Sequence, residues 1–357
     1  MFRKPTLPEY DIQDVGSLIS QVFGDVDPEK LSAFVPVKNE LPLLPAFLAH
    51  YRRLGFEQFL VFDDRSNDGT FEYLRKQKDC VVIHTAMTFG EELIYTGETH
   101  KNSRVQRFGT FAKMAIPPYF MNGKFVAYFD ADEFLILPPG VTHIREVYDR
   151  IEEIGSSGAL ATMVEFFPRS TAEFKKPLPH SFDGLMDAYG WFEAEPLFDP
   201  MAEMDGRGKP IFVNPSKSMR LFEHYGVQPS IIRETLREKI YLSSKEKKNQ
   251  EFNRSARHKT PILKRTDDSF LFTCHDAITP PKGEILLTLA HFVFTSNFAR
   301  KIQNARKWKA HVKGAAKYRY YQELLDRMSD VEDGFLTDRS QRYENPQQLI
   351  DAGLMRW

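Results

Sequence analysis

Cysteine is scarce in this chain. Only Cys80 and Cys274 occur in 357 residues. Two isolated thiols make no disulfide framework, and neither has a second cysteine nearby to build a zinc site. Residues 1–11 lack the apolar core of a secretory leader, so a reducing cytosol is the expected compartment. Long apolar runs are missing too. The best one, 285–294, has ten residues and contains His291, well short of the roughly 18 a membrane helix needs. Net charge is also nearly absent: 48 Lys+Arg against 49 Asp+Glu leaves −1. That excludes a generally basic nucleic-acid binder and a polyacidic tail, though not local patches. There is no internal repeat and no low-complexity tract.

What is present is globular. Hydrophobic residues make up 42% and charged residues 27%, and thirty phenylalanines point to aromatic-rich packing. The length suits one large domain or two smaller ones.

Along the chain, residues 1–30 are polar and turn-rich and read as a peripheral arm. Ala33-Phe34-Val35-Pro36-Val37 fits a buried strand. Residues 41–54 carry apolar positions at helical spacing and end at Gly55, a C-cap position. Phe59-Leu60-Val61-Phe62 is a second strand, 70–78 a helix and Val81-Val82-Ile83 a third strand. This alternation with short loops predicts a three-layer α/β fold with a mostly parallel sheet. Ligands bind such sheets at the carboxyl ends of the strands. A helix is expected over 100–116, up to Pro117-Pro118. A fourth strand, Phe125 to Phe129, then runs into Asp130-Ala131-Asp132-Glu133. Residues 170–215 look irregular, as a lid or binding loop would. Residues 286–294 resume a strand, and 297–328 read as one long helix or two.

Two acidic turns follow buried strands. In Asp130-Ala131-Asp132-Glu133, two carboxylates one residue apart leave a strand end, and hard divalent cations take such oxygen ligands together with substrate phosphates. The plain alternative is a solvated acidic turn. In Asp63-Asp64-Arg65-Ser66-Asn67-Asp68-Gly69-Thr70, a carboxylate can accept from a nucleobase or ribose, while Ser66 or Asp68 caps the next helix. A calcium loop is rejected, because the twelfth position is Arg75 rather than a bidentate Glu.

Three ordered blocks, Phe34 to Glu40 ending in Lys38-Asn39-Glu40, then Asp63 to Thr70, then Phe129 to Leu135, together resemble the family 2-type glycosyltransferases. They are most similar to a bacterial subgroup with K-N-E, D-x-S-x-D-G-T and D-A-D-E-F blocks. The resemblance covers residues 31–140. A weaker echo follows in His258 to Arg265, His275, and Leu289-Ala290-His291-Phe292. It implies a fold of the GT-A type and a nucleotide-diphosphate sugar as donor, UDP being commonest in that family. It implies a divalent metal, Mn²⁺ or Mg²⁺, held by Asp130 and Asp132, with His291 as a further ligand. Donor contacts would come from Pro36, Lys38, Glu40, Asp64, Ser66, Asp130, Lys259 and His275. The implied layout is an arm over 1–30, a transferase domain over 31–296 and a C-terminal helical extension over 297–357. Within that domain, 31–140 would bind the nucleotide sugar and 141–296 the acceptor.

Some readings stay open. His291 is either a core histidine or a metal or phosphate ligand. Residues 300–319 hold eight basic side chains and no acidic one. They read as a solvated face, as Arg300 and Lys301 closing over a diphosphate, or as a surface for anionic lipid and hence peripheral membrane contact. Lys217 and Arg220 are either phosphate or acceptor contacts, or surface charges. An inverting transferase needs a base for the acceptor hydroxyl. Glu165, Asp183, Asp187, Glu193 and Asp205 are available, and Glu165 and Asp183 are preferred for their aromatic neighbours. The acceptor itself is not legible: glycan, lipid or protein. The competing functions are a nucleotidylyltransferase, disfavoured because no glycine-rich loop follows the first strand, and a non-catalytic binding protein on the same fold.

Overall fold

The computed structural model describes residues 6–97, 104–201, 212–227, 257–266, 268–308, 312–329 and 331–357. Its strands are β1 (Glu9–Tyr10), β2 (Ile19–Phe23), β3 (Ser32–Val37), β4 (Gln58–Asp63), β5 (Cys80–Thr85), β6 (Glu92–Tyr95), β7 (Arg104–Arg107), β8 (Phe125–Tyr128), β9 (Glu133–Ile136), β10 (Gly158–Glu165), β11 (Trp191–Glu193), β12 (His258–Lys264), β13 (Leu286–His291) and β14 (Ser340–Arg342). The helices are α1 (Val15–Leu18), α2 (Leu44–Arg53), α3 (Thr70–Leu74), α4 (Phe108–Phe120), α5 (Ile144–Glu153), α6 (Phe182–Tyr189), α7 (Lys217–His224), α8 (Phe298–Trp308), α9 (Val312–Met328) and α10 (Gln347–Asp351).

Nine strands form one sheet in the order β2-β5-β4-β3-β8-β12-β10-β13-β9. Strands β3, β4, β5, β8, β10 and β13 run one way, and β2, β12 and β9 run against them. The sheet is therefore mixed, with its parallel half where the βαβ alternation predicted it.

The strands alternate faces as a two-residue period requires. Ala33, Val35, Phe59, Val61 and Val82 pack with Phe47 and Tyr51 of α2 in one core, which continues under α5. Phe34, Leu60, Phe62, Val81 and Ile83 pack with Phe108, Phe111 and Met114 of α4 in a second core on the other face. Each such buried aromatic or aliphatic side chain contributes about 1.5–3 kcal/mol. Gly55 closes α2 at φ +96°, where a side chain would be strained and would meet His143.

Four expectations change. The arm over 1–30 supplies β2, an edge strand paired with β5. The helix expected over 100–116 lies at 108–120 and runs through Pro117 and Pro118. Its first residues, 100–103, lie outside the described residues. The C-terminal segment is more than an extension. β14 pairs with β11, and Leu349, Leu354 and Met355 enter the first core. The stretch 170–215 contains α6 and β11, while 202–211, with Asp205, lies outside the described residues. Among the described residues no helix is long and apolar enough to cross a membrane.

Candidate functional site

All six co-directional strands end at one edge of the sheet, and the reversed β9 and β12 begin there. Topology alone thus gathers Lys38 and Glu40 after β3, Asp64 after β4, Asp130 after β8, Glu165 at the end of β10 and His291 at the end of β13. It adds Asp132 before β9 and Lys259 near the start of β12. This is the carboxyl edge at which open α/β sheets bind ligands.

The first two loops clasp each other. Lys38 Nζ donates to the Asp64 carbonyl and, at 2.7 Å, to the Arg65 carbonyl. Ser66 Oγ accepts the Asn39 N–H at 2.9 Å, and Asn39 Oδ1 accepts the Asn67 N–H at 2.8 Å. Asn39 and Arg65 both sit at positive φ, 58° and 55°, a costly conformation for non-glycine residues that these cross-links hold in place. Pro36 lies beyond Phe34, the last β3 residue paired with β8, so its missing N–H costs that ladder nothing.

The two adjacent aspartates differ. Asp63 is consumed internally, accepting from Ser66 N–H at 3.2 Å and lying 2.9 Å from His84 Nε2. Asp64 is 2% exposed; its Oδ1 accepts the Phe89 N–H at 2.9 Å, and its buried Oδ2 has no hydrogen-bond partner. Burial raises its pKa. A buried carboxylate oxygen left without a donor is expensive, and a ligand N–H or O–H would relieve it.

Asp130 and Asp132 point to different partners. Lys113, from the otherwise apolar α4, donates to Asp130 Oδ1 at 2.6 Å, and Lys259 Nζ is 3.8 Å from Oδ2. Burial opposes ionisation of Asp130, but the two lysines outweigh it and hold the carboxyl well below its usual range. Asp132 Oδ2 accepts from Lys301 at 2.9 Å and lies 3.7 Å from His291 Nε2. Against the same burial, Lys301 and His291 hold Asp132 low, and Asp132 in turn raises the pKa of His291. Lys301 also stands 3.5 Å from Glu40 Oε1, whose other oxygen is buried without a hydrogen-bond partner. Burial pushes the Glu40 carboxyl up to about 7.

The remaining candidates divide. His275 Nδ1 lies 3.2 Å from the His258 carbonyl, and Lys259 and Lys113 bear on its charge, so it belongs to the Asp130 side. Arg300 Nε donates to Asn297 Oδ1 at 2.6 Å. Glu165 is brought to the edge, with His291 directly beside it in register. Its carboxylate is occupied: Ser218 donates both its N–H at 2.5 Å and its hydroxyl at 2.6 Å from the first turn of α7. Asp183 is not brought to this group. It lies on α6, largely exposed, paired at 3.2 Å with Arg53 at the last turn of α2, away from the carboxyl edge. Asp187 lies on that same helix α6. Lys217 and Glu193 form a buried ion pair, and the partly buried Arg220 lies 3.6 Å from Glu193 and pairs with Glu195. Side chains of most of the basic stretch, from Arg306 to Lys317 and at Arg319, lie outside the described residues. Lys301 faces the site rather than solvent.

Reading the sequence missed Lys113. The signal was there: one lysine inside Phe108–Phe120, an apolar run in which a buried ammonium requires a carboxylate partner.

A divalent cation is implied by the family resemblance. Among the described residues no three His, Cys, Asp or Glu side chains come together as a metal-binding group. The residues that would hold such an ion are Asp132 and His291, with Glu40 offering a buried oxygen that has no hydrogen-bond partner across Lys301; Asp130, also expected as a ligand, is paired with Lys113 and faces Lys259. That donor set fits a Mg²⁺ or Mn²⁺ ion completed by diphosphate oxygens and water, and does not fit an all-protein cage.

No protein-family model matches the chain, and no curated protein matches it by sequence. Among solved structures it is similar to that of S. aureus TarS 1–349, at 18% identity and a TM-score of 0.25. The alignment covers 39% of this chain and 35% of that one, so the chain spans about a third of the TarS structure. A likeness that small says nothing about chemistry.

Proposed function

We propose that the protein is a glycosyltransferase that takes a sugar from a nucleotide-diphosphate donor to an acceptor hydroxyl, with a divalent cation at Asp132. The observation that carries this reading is the pairing of two kinds of group on one sheet edge. Asp64 offers a buried acceptor without a hydrogen-bond partner, suited to a base or ribose. Asp132, His291 and Lys301 offer a charge-switching seat, suited to a diphosphate with its cation.

In this reading Asp64 orients the nucleoside and the Lys38–Asn39–Ser66 clasp fixes its loop. Asp130 is held ionised by Lys113 and Lys259 and accepts from the ribose. The bond from sugar to diphosphate breaks with negative charge growing on the leaving group, and preorganised positive charge at that point lowers the barrier. The cation, when bound through Asp132 and His291, supplies Lewis-acid stabilisation of that leaving group. The acceptor proton goes to a carboxylate on the acceptor side. Glu165 is the candidate the fold brings to the edge, and its two bonds from Ser218 must loosen for it to act.

The test is thermal stabilisation by UDP, GDP and dTDP, with and without Mn²⁺, in wild type, Asp64→Ala and Asp132→Ala. A ligand at a hundred times its Kd adds about 2.7 kcal/mol. One nucleotide should stabilise the wild type only with Mn²⁺ and lose its effect in both variants. No stabilisation by any nucleotide, or one indifferent to both aspartates, would overturn the reading in favour of a binding protein.

A further inference from the structure

One carboxylate oxygen, Asp132 Oδ2, carries two cationic neighbours. Lys301 Nζ lies 2.9 Å from it and His291 Nε2 lies 3.7 Å from it. The same ammonium reaches Glu40 Oε1 at 3.5 Å. All of these side chains are about four-fifths covered. Lys301 arrives from the first turn of α8. That helix is anchored by Phe298 and Ile302, 2% and 0% exposed, among Phe294, Tyr321 and Leu324 of the third core. The ammonium is thus delivered to its seat by a packed element rather than by a loose surface chain.

A divalent ion bound to Asp132 needs that carboxylate at about 2.0–2.1 Å, if it is Mg²⁺. An ammonium and a dication sharing one oxygen in a poorly hydrated pocket repel each other with little screening, so each weakens the other's hold on Asp132. Of the other carboxylates here, Asp130 is already held by Lys113 and Lys259 and Glu133 by Lys259, so the displaced ammonium is left with Glu40, 3.5 Å away.

We propose that Lys301 is a tethered cation that competes with the divalent metal for Asp132, so that the metal-free protein keeps its diphosphate site closed by its own side chain. Metal binding displaces the ammonium from Asp132. By reciprocity, whatever holds Lys301 in its seat weakens metal binding by the same factor, and couplings of this kind are typically 5–150-fold. The metal-bearing donor complex, with more oxygens for the ion, then binds the metal more tightly than the free protein does. The inference rests on the reading of this edge as a donor-diphosphate site.

The test is direct Mn²⁺ titration of the full chain without nucleotide, reading free Mn²⁺ by its electron paramagnetic resonance signal. Lys301→Gln should bind Mn²⁺ at least about tenfold more tightly than wild type. Lys301→Arg should stay near wild type, and Asp132→Asn should lose the site in either background. A Lys301→Gln affinity equal to or weaker than wild type overturns the proposal. A second readout needs no variant. Saturating Mn²⁺ should speed acylation of Lys301 by an amine reagent, measured by peptide mass spectrometry, and an unchanged rate overturns the proposal equally. Neither readout uses nucleotide. Failure of UDP, GDP and dTDP to bind would therefore sink the donor reading without being mistaken for failure of the competition.

Discussion

Asp130 and Glu133 hold each other from both ends of the acidic turn. The Glu133 N–H donates to the Asp130 carbonyl at 3.0 Å, and the Asp130 N–H donates to Glu133 Oε2 at 2.8 Å. The Glu133 carboxylate also takes Lys259, and both side chains are only 1% exposed. Tyr51, stacked on Phe129, donates its hydroxyl to the Glu133 carbonyl at 2.9 Å and accepts the Leu135 N–H at 3.1 Å. The fourth residue of the acidic motif is therefore the lock of the turn that presents Asp130 and Asp132.

Removing one member of a buried ion pair strands the other charge, which typically costs 3–5 kcal/mol. Glu133→Gln should lower unfolding free energy by about 3 kcal/mol or more in urea. The double variant Glu133→Gln/Lys259→Met should recover part of that loss, because no charge is then left unpaired. If the double variant is as unstable as the sum of the single ones, the pair is not what holds the turn.

How much of this was legible beforehand follows the range of the interactions. The β3-α2-β4-α3-β5 run was readable because its apolar runs, helical spacings and short loops are local. The acidic turns were readable because each follows a buried strand directly. β12 was not recognised as a strand between β8 and β10. It joins segments some hundred residues apart, and Pro261 in its middle argues against a strand. The structure absorbs that proline with a register shift between Ala159 and Ala161. β2 is hidden for a different reason: an edge strand that is mostly exposed carries only a weak apolar signature. The pairing of Lys301 with Asp132 spans 169 positions, and Asp183 looked suitable only because its neighbour is aromatic. Charge partners across such distances leave no mark in a single sequence.

Glu165 and Asp183 can now be separated experimentally. Asp183 makes an exposed ion pair with Arg53, and such pairs contribute about 0–1 kcal/mol. Asp183→Asn should keep stability within about 0.5 kcal/mol and leave turnover of the donor essentially unchanged. Glu165→Gln exchanges a carboxylate oxygen for an NH₂ group facing the Ser218 donors. It should cost about 1–3 kcal/mol and shift the anchoring of α7. Donor turnover, measured as released nucleoside diphosphate, should fall in Glu165→Gln. Full activity in that variant removes Glu165 as the base, and a loss in Asp183→Asn would mean the acceptor side reaches farther than the sheet edge.

Glu40 gives the metal-free protein a specific pH dependence. Burial favours its neutral form and pushes its pKa from 4.5 to about 7. Between those values the folded chain binds more protons than the unfolded one, so this carboxyl makes stability fall as pH rises. The contribution is whole below 4.5 and lost above about 7. Its slope cannot exceed about 1.4 kcal/mol per pH unit. His291, whose pKa is raised by Asp132 despite burial, loses its own contribution only above its ordinary 6.5. Urea unfolding of wild type and Glu40→Gln with EDTA, from pH 4.5 to 7.5, isolates the carboxyl. The wild-type advantage over the variant should shrink steadily through pH 5–7, and parallel curves would show that Glu40 does not titrate there.

The two cysteines should differ sharply in reactivity. Burial pushes the Cys80 thiol up to about 12, so it stays protonated and inert in the native protein. Burial works the same way on Cys274, but the adjacent His275 and nearby Lys113 outweigh it and bring the thiol down to about 7. His275 is itself raised by the thiolate. Iodoacetamide labelling of the native chain, followed peptide by peptide, should modify Cys274 with half-maximal rate near neutral pH and leave Cys80 untouched. His275→Gln removes the first-acting counter-charge, so the midpoint should move up toward the ordinary thiol value of 9.0. Lys113 also holds Asp130, at 2.6 Å, which places this thiol on the side of the site proposed for the ribose. Nucleoside diphosphate with Mn²⁺ should therefore slow the labelling of Cys274 in wild type. A midpoint unmoved by His275→Gln would mean that the imidazole does not set the thiol's charge.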